Sequence, residues 1–220
     1  LAIWSLKGNE PAANVVTWQI AGAIVAAVVS YLGAVIWMYE ASRAGKIALA
    51  IVAAAAFVTC IAPFVFSGAT TGSGPTMSTP VRAIEIISGG LVSGLITTAM
   101  LLGHWYLNTP TMRLDPLKRL LIFLTVAIIA RMLFSAIGAA VEGSRLSAAP
   151  AGIPTSWFLF ISLRWFAGLL LPLALTYLTW QTLKIPNTQS ATGILYAGVI
   201  LVFIGELCAQ MLSVGASFPL

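Results

Sequence analysis

The sequence predicts an all-α fold, a polytopic bundle of transmembrane helices, and three observations lead there. Only 8% of the residues are charged, where a soluble domain carries about a quarter, while 60% are hydrophobic and the mean hydropathy is +1.00. Apolar runs of roughly 20 residues or more, enough to cross about 30 Å of hydrocarbon, recur along the whole chain. The connections between them are short and carry the glycines, prolines and serines that end helices.

Each run must be helical, because a span in lipid satisfies its backbone hydrogen bonds internally, and a membrane β-barrel would show alternating segments of about ten residues instead. The first span is Asn14 to Met38, closing in Trp37 and Tyr39. A basic turn holding Arg43 and Lys46 leads to the second, Ile47 to Phe66, which Pro63 is expected to kink. A loop rich in Gly, Ser, Thr and Pro, Ser67 to Pro80, precedes the third, Ala83 to Leu107. Pro110 and Pro116 bracket another basic turn before the fourth, Leu120 to Ala140. Pro150 and Pro154 precede the fifth, Trp157 to Thr182, with Pro172 inside it as a second expected kink, and Pro186 separates it from the sixth, Ala191 to Leu212. Residues 1–220 read as a single transmembrane domain. The chain starts at Leu1 rather than Met, so a signal sequence or further N-terminal sequence is expected ahead of it. Cys60 and Cys208 lie in apolar runs, where a thiol behaves as a small hydrophobe.

Lysine and arginine outside the spans are unevenly shared. Arg43, Lys46, Arg113, Lys118, Arg119 and Lys184 fall on one side, and Lys7, Arg82 and Arg145 on the other. The positive-inside rule makes the first side cytoplasmic, as in a bacterial-type inner membrane, with both visible termini outside. The net charge of +5 follows from this bias and is spread thinly over short loops, so it points to lipid headgroups and away from nucleic acid.

The only histidine, His104, stands at the cytoplasmic end of the third span beside Trp105 and Tyr106. The first and fifth spans end at the same level with Trp37 and Tyr39 and with Tyr177 and Trp180, forming an aromatic collar. His104 is read either as a polar member of that collar or, with Glu40 at the end of the first span, as a proton-handling group at the mouth of a lipid-accessible cleft, where a side chain titrating near neutrality suits a quinone changing redox state. One histidine cannot supply a bis-histidine haem, and Met100, four residues back on the same helical face, cannot reach the opposite side of one iron. No C-x-x-C-H site and no zinc-ligand spacing occurs, so no metal or haem is assigned to this chain alone.

Arg131, Arg164 and Glu206 lie well inside spans, and Glu85 just inside one. A charge near the bilayer centre costs roughly 2.5–3.5 kcal/mol even on a lenient scale, so these residues need partners. Arg164 is seven residues in from Trp157 and Glu206 six back from Leu212, which places both roughly 10 Å deep on the outer side, within reach of each other. Arg131, near the midplane, looks to Glu206 or to a ligand for its counter-charge. With Gln210 one turn beyond Glu206, the cluster is read either as an ion pair locking the last three spans or as the lining of a quinone or proton site. Gly90 and Gly94, four apart, predict a close helix contact within the bundle or with another subunit.

The run from Gly193-Ile194-Leu195-Tyr196 to Val202-Phe203-Ile204-Gly205-Glu206-Leu207 resembles the last helices of haem-free quinol-interacting anchor subunits of the dimethyl-sulfoxide-reductase and polysulfide-reductase type. The resemblance covers about thirty residues and one short Gly-Glu motif. It implies a membrane anchor that binds menaquinol or another quinone and docks an iron–sulfur protein on the outer face; quinone or menaquinone and iron–sulfur or cytochrome subunits are the ligand and partners expected overall. Such anchors have eight or so spans, two more than are visible here.

Three functional classes follow. The leading one is a non-catalytic subunit of a respiratory or photosynthetic electron-transfer complex that anchors redox partners and helps form a quinone site. The second is a small secondary transporter or ion-conducting protein routed past Arg131, Arg164 and Glu206, although the two halves share no convincing repeat. The third is a structural or assembly subunit without ligand. An independent enzyme is disfavoured: His104 has no G-x-S-x-G serine near it, no phosphate-binding glycine loop follows a strand, and the only aspartate, Asp115, lies in a loop.

Overall fold

A computed structural model describes residues 13–39, 42–66, 79–109, 113–148, 155–185, 187–213, 218 and 220. These residues are almost entirely helical and contain no strand. The helices are α1 (Ala13–Met38), α2 (Ser42–Phe66), α3 (Thr79–Asn108), α4 (Asp115–Ala148), α5 (Thr155–Trp165), α6 (Leu171–Thr182) and α7 (Thr188–Ser213), with a π-helical turn, Phe166–Leu170, joining α5 to α6. Counting α5, the π turn and α6 as one, the six predicted spans each lie inside one helix. Four helical segments, Pro80–Asn108, Asp115–Ala148, Thr155–Thr182 and Thr188–Ser213, are long and apolar enough to cross a membrane, and α1 holds a shorter apolar run, Ile20–Ile36. The protein is a multi-pass, all-α membrane protein.

Contacts gather into two compact units, Leu1–Ser73 and Gly74–Leu220. In the first, α1 and α2 pair along small residues. Gly33 lies against Ala48 and Gly22 against Thr59, so neither glycine has room for a larger side chain.

The second unit is an up-down four-helix bundle in which α3 packs on α4 and α7, α7 also on α5 and α6, and α4 on α6. Local sequence explains the helix ends. Pro80 and Pro116 occupy first-turn positions, where a missing N–H costs nothing, Asp115 places a carboxylate at the positive N-terminus of α4, and the Asn187 side chain accepts the Ser190 N–H at 3.0 Å as the cap of α7. Just before Pro172, where a kink is expected from sequence, the helix carries the π turn Phe166–Leu170. Proline offers no N–H to the preceding turn, and the Leu171 N–H bonds five residues back to the Phe166 carbonyl.

Polarity is inverted relative to a soluble protein. The outward surface is Leu133, Phe134, Phe160, Phe166, Phe203 and similar side chains, while Arg131 and Arg164 are 2% and 0% exposed. An apolar exterior around buried charge is the arrangement lipid requires. The interior itself has two parts. Toward the end where α3 finishes and α4 begins, Ile96, Leu117, Leu121, Leu124, Leu183 and Leu195 form an apolar core. Toward the other end, where α3 and α5 begin and α4 and α7 finish, the interior holds Glu85, Arg131, Ser135, Glu142 and Arg164 beside a small apolar cluster of Leu212, Leu220, Trp157 and Ile161.

Candidate functional site

The four helices of this bundle are tied together by one buried ion network. Glu206, on α7, lies between two guanidinium groups. Arg131, near the middle of α4, donates through Nη2 to its Oε2 at 2.8 Å and through Nε to its Oε1 at 3.4 Å, a side-on bidentate pair. Arg164, on α5, donates through Nη1 to Oε1 at 3.0 Å. The remaining Nη1 of Arg131 reaches α3, donating to the Glu85 carbonyl at 2.9 Å and to Ser88 Oγ at 2.8 Å. The Glu85 carboxylate accepts from Ser213 Oγ at 2.5 Å, which returns the chain of contacts to the end of α7.

Glycines make room for this. A Cβ on Gly89 would strike the Glu206 carboxylate, and Gly168, inside the π turn, lies directly on the backbone of Gly205, one residue before Glu206. The Gly168–Gly205 crossing is what brings α5 close enough to α7 for Arg164 to reach Glu206.

Arg164 is fully buried, yet its Nε and Nη2 have no hydrogen-bond partner among the described residues. These two nitrogens form one edge of the guanidinium fork, the same edge with which Arg131 grips Glu206. Arg164 therefore presents an intact bidentate donor edge to whatever oxygen approaches it. Two further buried atoms in the same half lack partners, Ser135 Oγ, one turn beyond Arg131, and Trp157 Nε1.

The residues expected from sequence divide. Arg131, Arg164 and Glu206 come together as a single network, with Glu206 shared by both arginines. Gln210 does not join them: the buried stripe of α7 runs through Gly198, Val202, Gly205, Ala209 and Leu212, and Gln210 faces outward. His104 is exposed, at the opposite end of α3, with its ring edge-on to Tyr196 at a centroid distance of 6.5 Å. Glu40 and the Trp37 side chain lie outside the described residues. Tyr106 is not a collar residue; it is 1% exposed and donates its hydroxyl to the Arg113 carbonyl at 2.7 Å, pinning the turn between α3 and α4, while Tyr39, Trp105 and Tyr177 are exposed as a collar requires. Gly90 and Gly94 have nothing within 4 Å of a built Cβ, so the close contact inside this unit is Gly168 on Gly205 instead. Glu85, Ser88 and Ser213 were not named as site residues. Glu85 sat near a predicted span end, and isolated serines give no signal.

A surface recess of about 500 Å³ lies far from the network, lined by Arg113, Asp115, Pro116, Arg119, Leu120 and Phe123 at the start of α4. No group of three or more His, Cys, Asp or Glu that could hold a metal ion occurs among the described residues. Fold and site together define a helical membrane protein with a buried arginine–glutamate network. Comparison with protein-family models, curated proteins and solved structures finds no match to the chain.

Proposed function

We propose that the chain is a non-catalytic membrane subunit of a respiratory or photosynthetic electron-transfer complex, and that the open edge of Arg164 receives an oxygen of a quinone head group. The observation that carries this reading is a fully buried guanidinium with two parallel N–H donors that no described residue matches. Leaving such donors unpaired costs on the order of 1–3 kcal/mol or more in a low-dielectric interior, so an acceptor that fills them binds with that gain. A quinone carbonyl is such an acceptor, soluble in the bilayer, and the resemblance of residues 193–207 to quinol-interacting anchors agrees with it. Glu206 fixes Arg164 through Nη1 and is itself fixed by Arg131, so the donor edge is held in place before the ligand arrives. Electrons and redox cofactors would belong to partner subunits, docked on a bundle whose faces are basic at one end.

The test is quinone binding by the purified protein in bilayer nanodiscs, using short-tailed benzoquinones and naphthoquinones, with bound quinone measured after solvent extraction. Saturable binding by the wild type that is lost in Arg164→Met and weakened in Arg164→Lys is expected. No binding of either quinone class sinks the reading.

A second reading has one observation of its own. A side-on guanidinium edge also matches the two oxygens of a carboxylate, as Arg131 and Glu206 demonstrate. A transporter of small carboxylates would use the same edge, and uptake of such an anion into proteoliposomes, dependent on Arg164, distinguishes it.

A further inference from the structure

Threonine hydroxyls inside this bundle share one pattern, from which the buried Ser135 departs. Thr97, Thr125, Thr176, Thr179 and Thr192 each donate to the carbonyl four residues back, at 2.7–2.8 Å, so each is satisfied inside its own helix. This is how a hydroxyl survives in a dry apolar interior. Ser135 is 2% exposed and does not do so; its Oγ has no partner among the described residues. It sits one turn from Arg131 on the same buried stripe of α4, which continues through Gly138 to Glu142 near the helix end.

All the buried side-chain nitrogen and oxygen atoms found without partners, Ser135 Oγ, Trp157 Nε1 and the two of Arg164, fall in this one half of the bundle. Glu85 and Ser213 share it, joined to each other at 2.5 Å. In the opposite half every buried side-chain polar atom among the described residues is paired, and the core is largely aliphatic, with Tyr106 bonded through its hydroxyl to the Arg113 carbonyl. Buried polar groups of native proteins are almost always satisfied, and internal water is the usual partner where protein atoms are not.

We infer that the polar half is hydrated from the end formed by Thr79, Ala148, Thr155 and Ser213, so that water and protons reach the Arg131–Glu206–Arg164 network from one face of the membrane only. Water hydrogen-bonded to Ser135, Trp157 and the Arg164 edge forms this path, with the Glu85–Ser213 pair flanking its outer stretch. The apolar layer of Ile96, Leu121, Leu124 and Leu195 closes the other side. This arrangement gives access to a site and forbids a continuous pore. It does not depend on which ligand Arg164 takes.

Substituted-cysteine labelling tests it. In a background with Cys60→Ala and Cys208→Ala, Ser135→Cys, Ser88→Cys and Leu124→Cys are reconstituted and exposed to a small, charged, membrane-impermeant methanethiosulfonate from each face separately. The expected result is modification of Ser135→Cys and Ser88→Cys from one face and not the other, with Leu124→Cys unreactive from both. Labelling of neither serine position in folded protein, or labelling of Leu124→Cys together with them, overturns the inference. Ser88 is only half-buried and hydroxyl-sized, so its variant reports even where Ser135→Cys does not fold. Failure here with intact quinone binding removes the water path alone, and loss of quinone binding with one-sided labelling removes only the ligand proposed above.

Discussion

At the scale of single residues, charge balance decides what each member of the network contributes. Two arginines share Glu206, so removing the glutamate leaves two guanidinium groups buried without a direct counter-charge, whereas removing Arg164 leaves the bidentate Arg131–Glu206 pair whole. Breaking a buried pair so that charge is stranded costs about 3–5 kcal/mol. Glu206→Gln should therefore lower the thermal midpoint in detergent substantially more than Arg164→Met. The reverse order would show that the network is held by something other than this balance. Arg131, Arg164 and Glu206 were legible in sequence because a charge in an apolar run is rare and must be paired. Gln210 was misplaced for a physical reason: a step of four residues rotates about 40° around a helix, and Glu206 already sits at the edge of the buried stripe, so one more turn points outward. Ser88 and Ser135 were invisible because a serine in a membrane helix normally bonds its own backbone.

At the scale of elements, the crossing of α5 on α7 is the feature on which the network depends. Spacing suggests Gly90 and Gly94 as a contact within the bundle or with another subunit; within the bundle it is Gly89 that faces inward, while Gly90 and Gly94 face out, because neighbouring residues lie about 100° apart around a helix. A Cβ at Gly168 or Gly205 meets backbone of the facing helix, which has no rotamer with which to yield. Gly168→Ala and Gly205→Ala should each cost about 1–3 kcal/mol or more by overpacking and force α5 away from α7, separating Arg164 from Glu206. Gly90→Ala and Gly94→Ala meet open space and should be neutral, or favourable by up to about 1 kcal/mol through helix propensity. Thermal unfolding of the four variants in nanodiscs is the check, and equal effects at both pairs would mean that the α3 glycines are also engaged. The π turn belongs to the same device. Its extra residue per turn, next to Pro172, lies between Arg164 and the rest of its helix; the proline is legible in the sequence and the π turn is not.

At the scale of the whole molecule, the fold class was plain from composition because lipid leaves a chain so few alternatives, and orientation is the property that now gives the buried network a direction. In the four-helix unit, Arg113, Lys118, Arg119 and Lys184 gather at the end where α3 and α6 finish and α4 and α7 begin, while Arg82 and Arg145 mark the other end. Arg113 pairs with Asp115 at 3.0 Å and Arg145 with Glu142 at 2.8 Å, but acidic residues weigh little in topology, so the comparison of four basic residues with two stands. On the positive-inside rule we propose that the basic end is cytoplasmic, which would put the apolar half on that side and the half with Arg131, Arg164 and Glu206 on the outer side. Ser147 and Lys184 are both exposed and sit at opposite ends. In intact cells carrying the cysteine-free background, an impermeant maleimide should label Ser147→Cys directly and Lys184→Cys only after the membrane is opened. Labelling in the opposite order would turn the bundle over and bring the half that holds the ion network to the cytoplasmic side.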